Sequence, residues 1–331
     1  MKNQSITILV DADMLLFQTM SALETEVQIG PEEWTRSANL GLVRNLYDQR
    51  IHKISVRFNC FEAEIYQCFT SGSFFRKYIH PEYKANRTKY KKPIGYLRMK
   101  NELLTRSNCF QHDVIEADDL ISKEADRIQQ ENKNGERKTI IFSGDKDLWQ
   151  IPGFHGWFTD TFDSPSKAKA KEWLRKWGMH YQPNDWPIPK DFYFPHAEAI
   201  EYHPQFESDD PSPEFSSAIP PVYHIDENAA QRFWLTQILT GDPTDNIPGV
   251  KGVGFITAAR FVDGLDITDP VDCWKEIVRF YETKGKMERP EEAALLTARL
   301  TRLLKFSEYD YVTHNVRLWT PPSKSESSPS T

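Results

Sequence analysis

Residues 5–10, Ser-Ile-Thr-Ile-Leu-Val, are an apolar run closed abruptly by Asp11, and no other feature constrains the fold of this chain as much. So short a run reads as a buried strand that delivers its acid at the C-terminal end. Residues 64–70 and 138–143 have the same character. Between them the period changes. After Glu116-Ala117-Asp118-Asp119, the apolar positions Ala117, Leu120, Ile121, Ala125 and Ile128 share one helix face. Strands alternating with helices predict an α/β domain with a mostly parallel central sheet flanked by helices. In such sheets ligands gather at the carboxyl ends of the strands.

Four acidic groups punctuate the sequence: Asp11 with Asp13; Glu116, Asp118 and Asp119; Asp145 with Asp147; Asp242 with Asp245. Each alone has an ordinary explanation, because acids suit the first turn of a helix and Gly-Asp sequences suit turns. Asp11 and Asp145, however, each follow an apolar strand, which places both on one sheet edge. Two unit charges about 4 Å apart repel by roughly 4 kcal/mol at an effective dielectric near 20. Converging carboxylates therefore take up protons or cations. Oxygen-only ligands suit Mg²⁺ or Mn²⁺ rather than zinc. Two such ions about 3.5–4 Å apart favour phosphodiester hydrolysis by promoting attack of water and stabilising the leaving oxygen.

The net charge of −7 argues against a nucleic-acid partner until its distribution is considered. Residues 76–100 hold nine Lys/Arg against one acid, Glu82, a local charge of +8 that leaves −15 on the rest. A basic segment on an acidic body fits an electrostatic contact that leaves room for acidic chemistry. Directly after Asp242 and Asp245 comes Pro248-Gly249-Val250-Lys251-Gly252-Val253-Gly254, a turn feeding a helix whose free N–H groups face an anion. This reads as a helix-hairpin-helix-like grip on a phosphate, with Lys251 beside it.

Residues 1–162 are expected to form the catalytic region and 223–319 a helical region. Residues 163–222 carry 10 of the 21 prolines and read as an insertion, with a short helix around Lys-Ala-Lys-Ala-Lys-Glu-Trp-Leu-Arg-Lys-Trp. The tail, 320–331, has a disordered composition. Cys60, Cys68, Cys109 and Cys273 are scattered without a CxxC, so neither a disulfide framework nor a zinc site is expected, and a reducing cytoplasm is. No apolar run reaches the length of a membrane span.

Leu-Val-Asp-Ala-Asp-Met-Leu-Leu-Phe-Gln, Pro-Glu-Tyr-Lys-Ala-Asn-Arg, Glu-Ala-Asp-Asp, Ser-Gly-Asp-Lys-Asp-Leu-Trp-Gln and Gly-Asp-Pro-Thr-Asp-Asn-Ile-Pro-Gly-Val-Lys-Gly-Val-Gly occur in that order. In this the chain resembles the 5′-nuclease (flap endonuclease-like) superfamily, and within it the 5′→3′ exonucleases of small T-odd bacteriophages, over nearly its whole length except about 163–222. The resemblance implies a PIN-like fold with a basic helical arch. It implies a 5′-nuclease using two ions, Mg²⁺ or Mn²⁺, on duplex DNA with 5′ ends, nicks or flaps, and on RNA–DNA hybrids, in phage replication, primer removal and DNA degradation. A monomer in the host cytoplasm is expected.

By resemblance, Asp11, Glu116 and Asp118 hold the first ion, and Asp145, Asp147 and Asp242 the second, with Asp119 and Asp245 adjacent. Asp13 stands beside the set, not in it. Tyr83, Lys84 and Arg87 match the arch residues that hold the scissile phosphate, with Lys84 and Arg87 catalytic; Lys91 and Lys92, further along the basic segment, are expected to bind DNA. Gly249, Lys251, Gly252 and Gly254 match the turn that grips duplex backbone, where the family also carries K⁺. One departure stands out: the family has an acid after the second strand, where this chain has Ser71. Two rival readings are a non-catalytic DNA-binding derivative, which Ser71 motivates, and a haloacid-dehalogenase-type phosphatase. The latter rests on Asp11-Ala12-Asp13 and on Gly241-Asp242-Pro243-Thr244-Asp245, and requires a strand before Gly241.

Overall fold

A computed structural model describes residues 5–89, 91–132, 137–158, 165–181 and 222–323. In chain order its elements are β1 Ser5–Asp11, α1 Ala12–Leu23, β2 Glu24–Gly30, β3 Glu33–Ala38, α2 Leu40–Phe58, β4 Ile65–Phe69, α3 Arg76–Ile79, α4 Tyr96–Leu103, β5 Cys109–Gln111 and α5 Ala117–Glu131. There follow β6 Arg137–Phe142, β7 Gly153–Gly156, α6 Pro165–Trp177, β8 Met179–Tyr181, β9 Tyr223–Ile225, α7 Glu227–Thr240, α8 Phe255–Asp263, α9 Pro270–Thr283 and α10 Pro290–Thr301.

Among the described residues the main sheet runs β5-β4-β1-β6-β7-β9-β8. The first five strands are parallel, and β9 and β8 close the edge in antiparallel pairing. The middles of the central strands, Ile8–Val10 of β1 and Ile140–Phe142 of β6, are apolar because both faces are covered there. Ile8 and Val10 pack on one side with Ile140 and Phe142, against α1 and α2. Leu9 and Ile141 pack on the other, against Leu120, Ile121, Ala125 and Ile128 of α5. At roughly 1.5–3 kcal/mol for each large side chain fully removed from water, these two layers hold β1 and β6 rigidly side by side. Helices α7 to α10 share a separate cluster around Leu239, Val262, Ile277 and Ala298.

Three features depart from the sequence expectations. The proline-rich insertion does not begin at 163, because α6 and β8 belong to the body: Leu174, Trp177 and Met179 are buried with Ile225 and Phe233. Pro165 opens α6, where its missing N–H costs nothing, and no further proline comes until Pro183. Residues 182–221 and 324–331, the rest of the expected insertion and most of the expected disordered tail, lie outside the described residues. The basic arch is not built of long helices. Among the described residues of 76–100 it has the four-residue α3, a short 3-10 turn, Ala85–Lys89, and the first part of α4, in keeping with Pro81, Pro93 and Gly95 along it. Finally, β2 and β3 form an antiparallel hairpin between α1 and α2, with Val27, Ile29 and Trp34 exposed.

No helix among the described residues is long and apolar enough to cross a membrane. All four cysteines are free thiols.

Candidate metal and DNA site

Asp11 is the last residue of β1 and the N-cap of α1, accepting the Met14 N–H at 3.0 Å. The Ser143 hydroxyl, one residue past the neighbouring β6, donates to its other oxygen at 3.0 Å. Asp145 follows two residues later and caps its own 3-10 turn through the Asp147 N–H, at 2.9 Å. Adjacent parallel strands thus bring Asp11 and Asp145 to one sheet edge. Asp118 arrives from the first turn of α5, whose Ala117 N–H donates to the Thr70 hydroxyl beyond β4 at 3.0 Å. Asp147 accepts from Lys146 at 2.7 Å and from Gln237 of α7 at 2.8 Å. Lys146 also reaches Asp242 at 3.4 Å.

Burial and mutual repulsion act on this group together. Burial first, then Asp13 and Asp145, push Asp11 up to about 7, against backbone and Ser143 hydrogen bonds that pull it down. Burial and the charges of Asp145 and Asp11 raise Asp118 well above the carboxylate range. Burial and Asp145 raise Asp147 to about 6, although Lys146 opposes them. Burial and like charges at such close quarters favour the uptake of protons or cations.

Glu116 sits in a different environment. It accepts from Tyr83 Oη at 2.8 Å, from Arg76 at 3.1 Å and from Lys84 Nζ. Burial pushes it upward, but Lys84 and Arg76 outweigh that and hold it below the ordinary range. Asp245 pairs with Arg87 and lies 3.5 Å from Lys84. The arch and this turn are stitched together: Lys84 N–H donates to the Asp245 carbonyl at 2.8 Å, Asn86 to Pro243 at 3.0 Å and Asn246 to Glu82 at 2.8 Å. Lys84 takes a left-handed backbone, φ 57°, to make this crossing.

Several site residues lie where the sequence does not suggest. Asp119 does not face the cluster. It is fully buried, forked against the Arg76 guanidinium (2.7 Å on one arm) and hydrogen-bonded to the Glu116 N–H, so it fixes the start of α5. Tyr83 is buried against Glu116, Ile247 and Leu300 and presents no surface to DNA. Arg76, counted in the basic run, is also buried, and donates to the carbonyls of Leu300 and Arg302 beyond its acids. Asp13 accepts from Thr70 N–H and Tyr96 Oη, both at 2.6 Å. The Ser71 hydroxyl turns into its own loop and donates to the Ser73 carbonyl. Among the described residues no three side chains are already gathered as a metal cage.

Arg87 and Lys91 are exposed, as is Lys92, whose ammonium lies 4.5 Å from the Tyr96 ring centre. The glycines of the turn divide. A Cβ on Gly249 would stand 2.2 Å from the Thr240 carbonyl, so this glycine allows the turn to pack on the end of α7. Gly252, at φ 77°, and Gly254 have open space in front of them, with Lys251 exposed beside them, where α8 begins without a side-chain cap. Arg76, Ser143, Lys146 and Gln237 are the residues that sequence reasoning missed. Lys146 and Ser143 were visible inside Ser-Gly-Asp-Lys-Asp; the other two depend on long-range packing.

A cavity of about 30 Å³ opens between Asp118, Asp147, Asp242 and Asp245. A larger one, about 380 Å³, lies between Arg137, Phe154 and His224 and contains none of the cluster acids. Gly241 follows a helix, α7, not a strand, which removes the phosphatase reading.

A family model described as the 5′-3′ exonuclease N-terminal resolvase-like domain matches residues 6–177. The exodeoxyribonuclease of Enterobacteria phage T3 is 24% identical over 96% of this chain and 93% of its own length. The exonuclease of Escherichia phage T7 is also 24% identical, over 95% and 93%. Among solved structures, the T5 D15 protein co-crystallised with metal ions has the same fold at a TM-score of 0.52 and 16% identity, over 90% of this chain and 89% of that one. Fold, ordered motifs and family model agree: the chain belongs to the 5′-3′ exonuclease family and is a 5′-nuclease enzyme.

Proposed function

We propose that the enzyme hydrolyses phosphodiesters at or near the 5′ end of duplex DNA, at ends, nicks and flaps and on RNA–DNA hybrids, with two divalent ions, Mg²⁺ or Mn²⁺. One observation carries the reading: Asp11, Asp118 and Asp147 crowd around Asp145 with raised proton affinities, while Lys84 and Arg76 hold the adjoining Glu116 below its ordinary range. The all-oxygen donor set of Asp11, Asp118, Asp145, Asp147 and Asp242 suits hard cations, with Glu116 at its border. Bound there, the ions supply Lewis acidity to the attacking and leaving oxygens.

The chain's own residues do the rest. Lys84, held at the rim by Glu116 and Asp245, offsets charge that grows on the scissile phosphate. Arg87, half exposed, steers the phosphate towards it. Lys91, Lys92 and the Lys251–Gly254 backbone position the duplex. Residues 249–254 carry no acidic side chain, so a K⁺ ion at the turn would rest on backbone oxygens. The relatives' phage source supports a role in phage DNA replication, primer removal and DNA degradation in the host cytoplasm; the proposed working form is a monomer. Digesting 5′-labelled intact, nicked and flapped duplexes with Mg²⁺ or Mn²⁺ tests this. Products from the 5′ side that vanish with chelator are expected; cleavage in excess chelator overturns it.

A further inference from the structure

Helix α6 falls in the part of the chain whose composition concealed a purpose, and the catalytic reading makes no use of it. Its 13 residues carry Lys167, Lys169, Lys171, Arg175 and Lys176 against the single acid Glu172. That is +4 on a body that is acidic outside the arch. The underside is fixed: Ala170 and Leu174 are buried in one cluster with Phe233 of α7 and Ala259 of α8. Small residues at 170 and 259 let the two helices approach closely.

Both ends are tied to parts of the DNA machinery. At the first turn Lys167 donates to the carbonyl of Gly144, the residue before Asp145. At the last turn Lys176 pairs with Asp263, the final residue of α8, and the Trp177 indole N–H donates to the same carboxylate at 3.0 Å. Helix α8 is the one that the Gly252–Gly254 turn opens. Lys169, Arg175 and Lys176 remain exposed along the span, and Arg260 is exposed on α8.

Thirteen residues rise about 20 Å, close to six base steps at roughly 3.4 Å per phosphate along one strand. We propose that α6 is a second backbone-binding element for duplex DNA, a positively charged strut joining the acid cluster to the turn-helix, with Lys169 and Arg175 each meeting a phosphate. This rests on the duplex-cleaving function proposed above. The interaction is electrostatic and blind to sequence, since it reads phosphates rather than base edges.

The test is equilibrium binding of a fluorescent 20-base-pair duplex in chelator, across about 50–200 mM salt. K169A/R175A should flatten the slope of log affinity against log salt by about 1.8, roughly 0.9 for each phosphate that is no longer neutralised. It should weaken binding equally for duplexes of unrelated sequence, leaving the rate at saturating DNA unchanged. The charge-preserving K169R/R175K should keep the wild-type slope. A like-sized charge loss on α9, K275A/R279A, should leave the slope alone. Circular dichroism of all variants separates unfolding from weakened binding by a folded protein. If K169A/R175A binds with the wild-type slope while wild type binds duplex normally, the strut is wrong and the cleavage reading stands. If wild type itself fails to bind duplex, the cleavage reading falls first.

Discussion

The acidic pocket has two halves built on opposite principles. Around Glu116, Asp119 and Asp245 the protein supplies its own counter-charges, Arg76, Lys84 and Arg87, together with the Tyr83 hydroxyl. Around Asp11, Asp118, Asp145 and Asp147 the partners are mostly backbone N–H groups, one serine, one glutamine and Lys146. The first half is a satisfied network in which each charge fixes another. The second stores repulsion that protons or divalent ions relieve. Carboxylates a few ångströms apart therefore do different work according to what the surrounding side chains donate.

The sharpest way to break this comparison is to remove Asp145 from the repulsive half, or Asp242, which Lys146 links to it. Asp145→Ala or Asp242→Ala should lower the cleavage rate by at least about a thousandfold at saturating Mn²⁺, because an ion contributes several kcal/mol and each 1.4 kcal/mol is tenfold. The fold, followed by circular dichroism, should persist. Full activity in both variants would place the ions elsewhere.

Arg76→Met probes the satisfied half. It strands the buried Asp119 and weakens the grip on Glu116, so about 3–5 kcal/mol of stability should be lost in urea titrations. Metal affinity per folded molecule should change little. A variant as stable as the parent would mean that the fork is incidental.

A smaller effect comes from pH. Asp11 and Asp147 have folded-state values of about 7 and 6, above the roughly 3.9 of an unfolded Asp. Between those limits the folded chain binds more protons than the unfolded one, so stability falls as pH rises from about 4 to 7. The melting temperature in chelator should decline over that window, and the rise produced by Mn²⁺ should grow over it. Asp147→Asn should flatten the decline; a profile identical to wild type would count against the repulsion.

The smallest expected change is at Ser71. Its hydroxyl points to the Ser73 carbonyl, so a carboxylate must reorient before it can reach an ion. Ser71→Asp should still lower the Mg²⁺ concentration for half-maximal cleavage. Superimposed titration curves would mean that this position does not face the site.

What the sequence made legible was local. Apolar runs with an acid at the end located β1 and the edge where Asp11 and Asp145 meet, and the 3.6-residue spacing located α5. What it hid was decided by partners far along the chain. Asp119 reads like Asp118 in sequence; only the packing of Arg76 between α5 and the end of α10 separates their roles. Tyr83 looked like a surface aromatic in a basic run, yet Ile247 and Leu300 bury it. Gly249 and Gly252 looked equivalent, and the nearness of Thr240 to one of them alone distinguishes them. Prolines beyond 182 drew the helix expected around Lys-Ala-Lys-Ala-Lys-Glu-Trp-Leu-Arg-Lys-Trp into the insertion, whereas as α6 it packs in the body against Phe233 and Ala259.

The stitching of residues 82–86 to 243–246 also bears on how the enzyme is made. A chain emerging from the ribosome in N-to-C order exposes Asp11, Glu116 and Asp145 long before Asp242 and Asp245 exist. Until that last turn arrives, Lys84 lacks the carbonyl that fixes its backbone and Asn86 lacks its acceptor. The arch is thus tied to its partner turn only when the C-terminal part of the chain has been made.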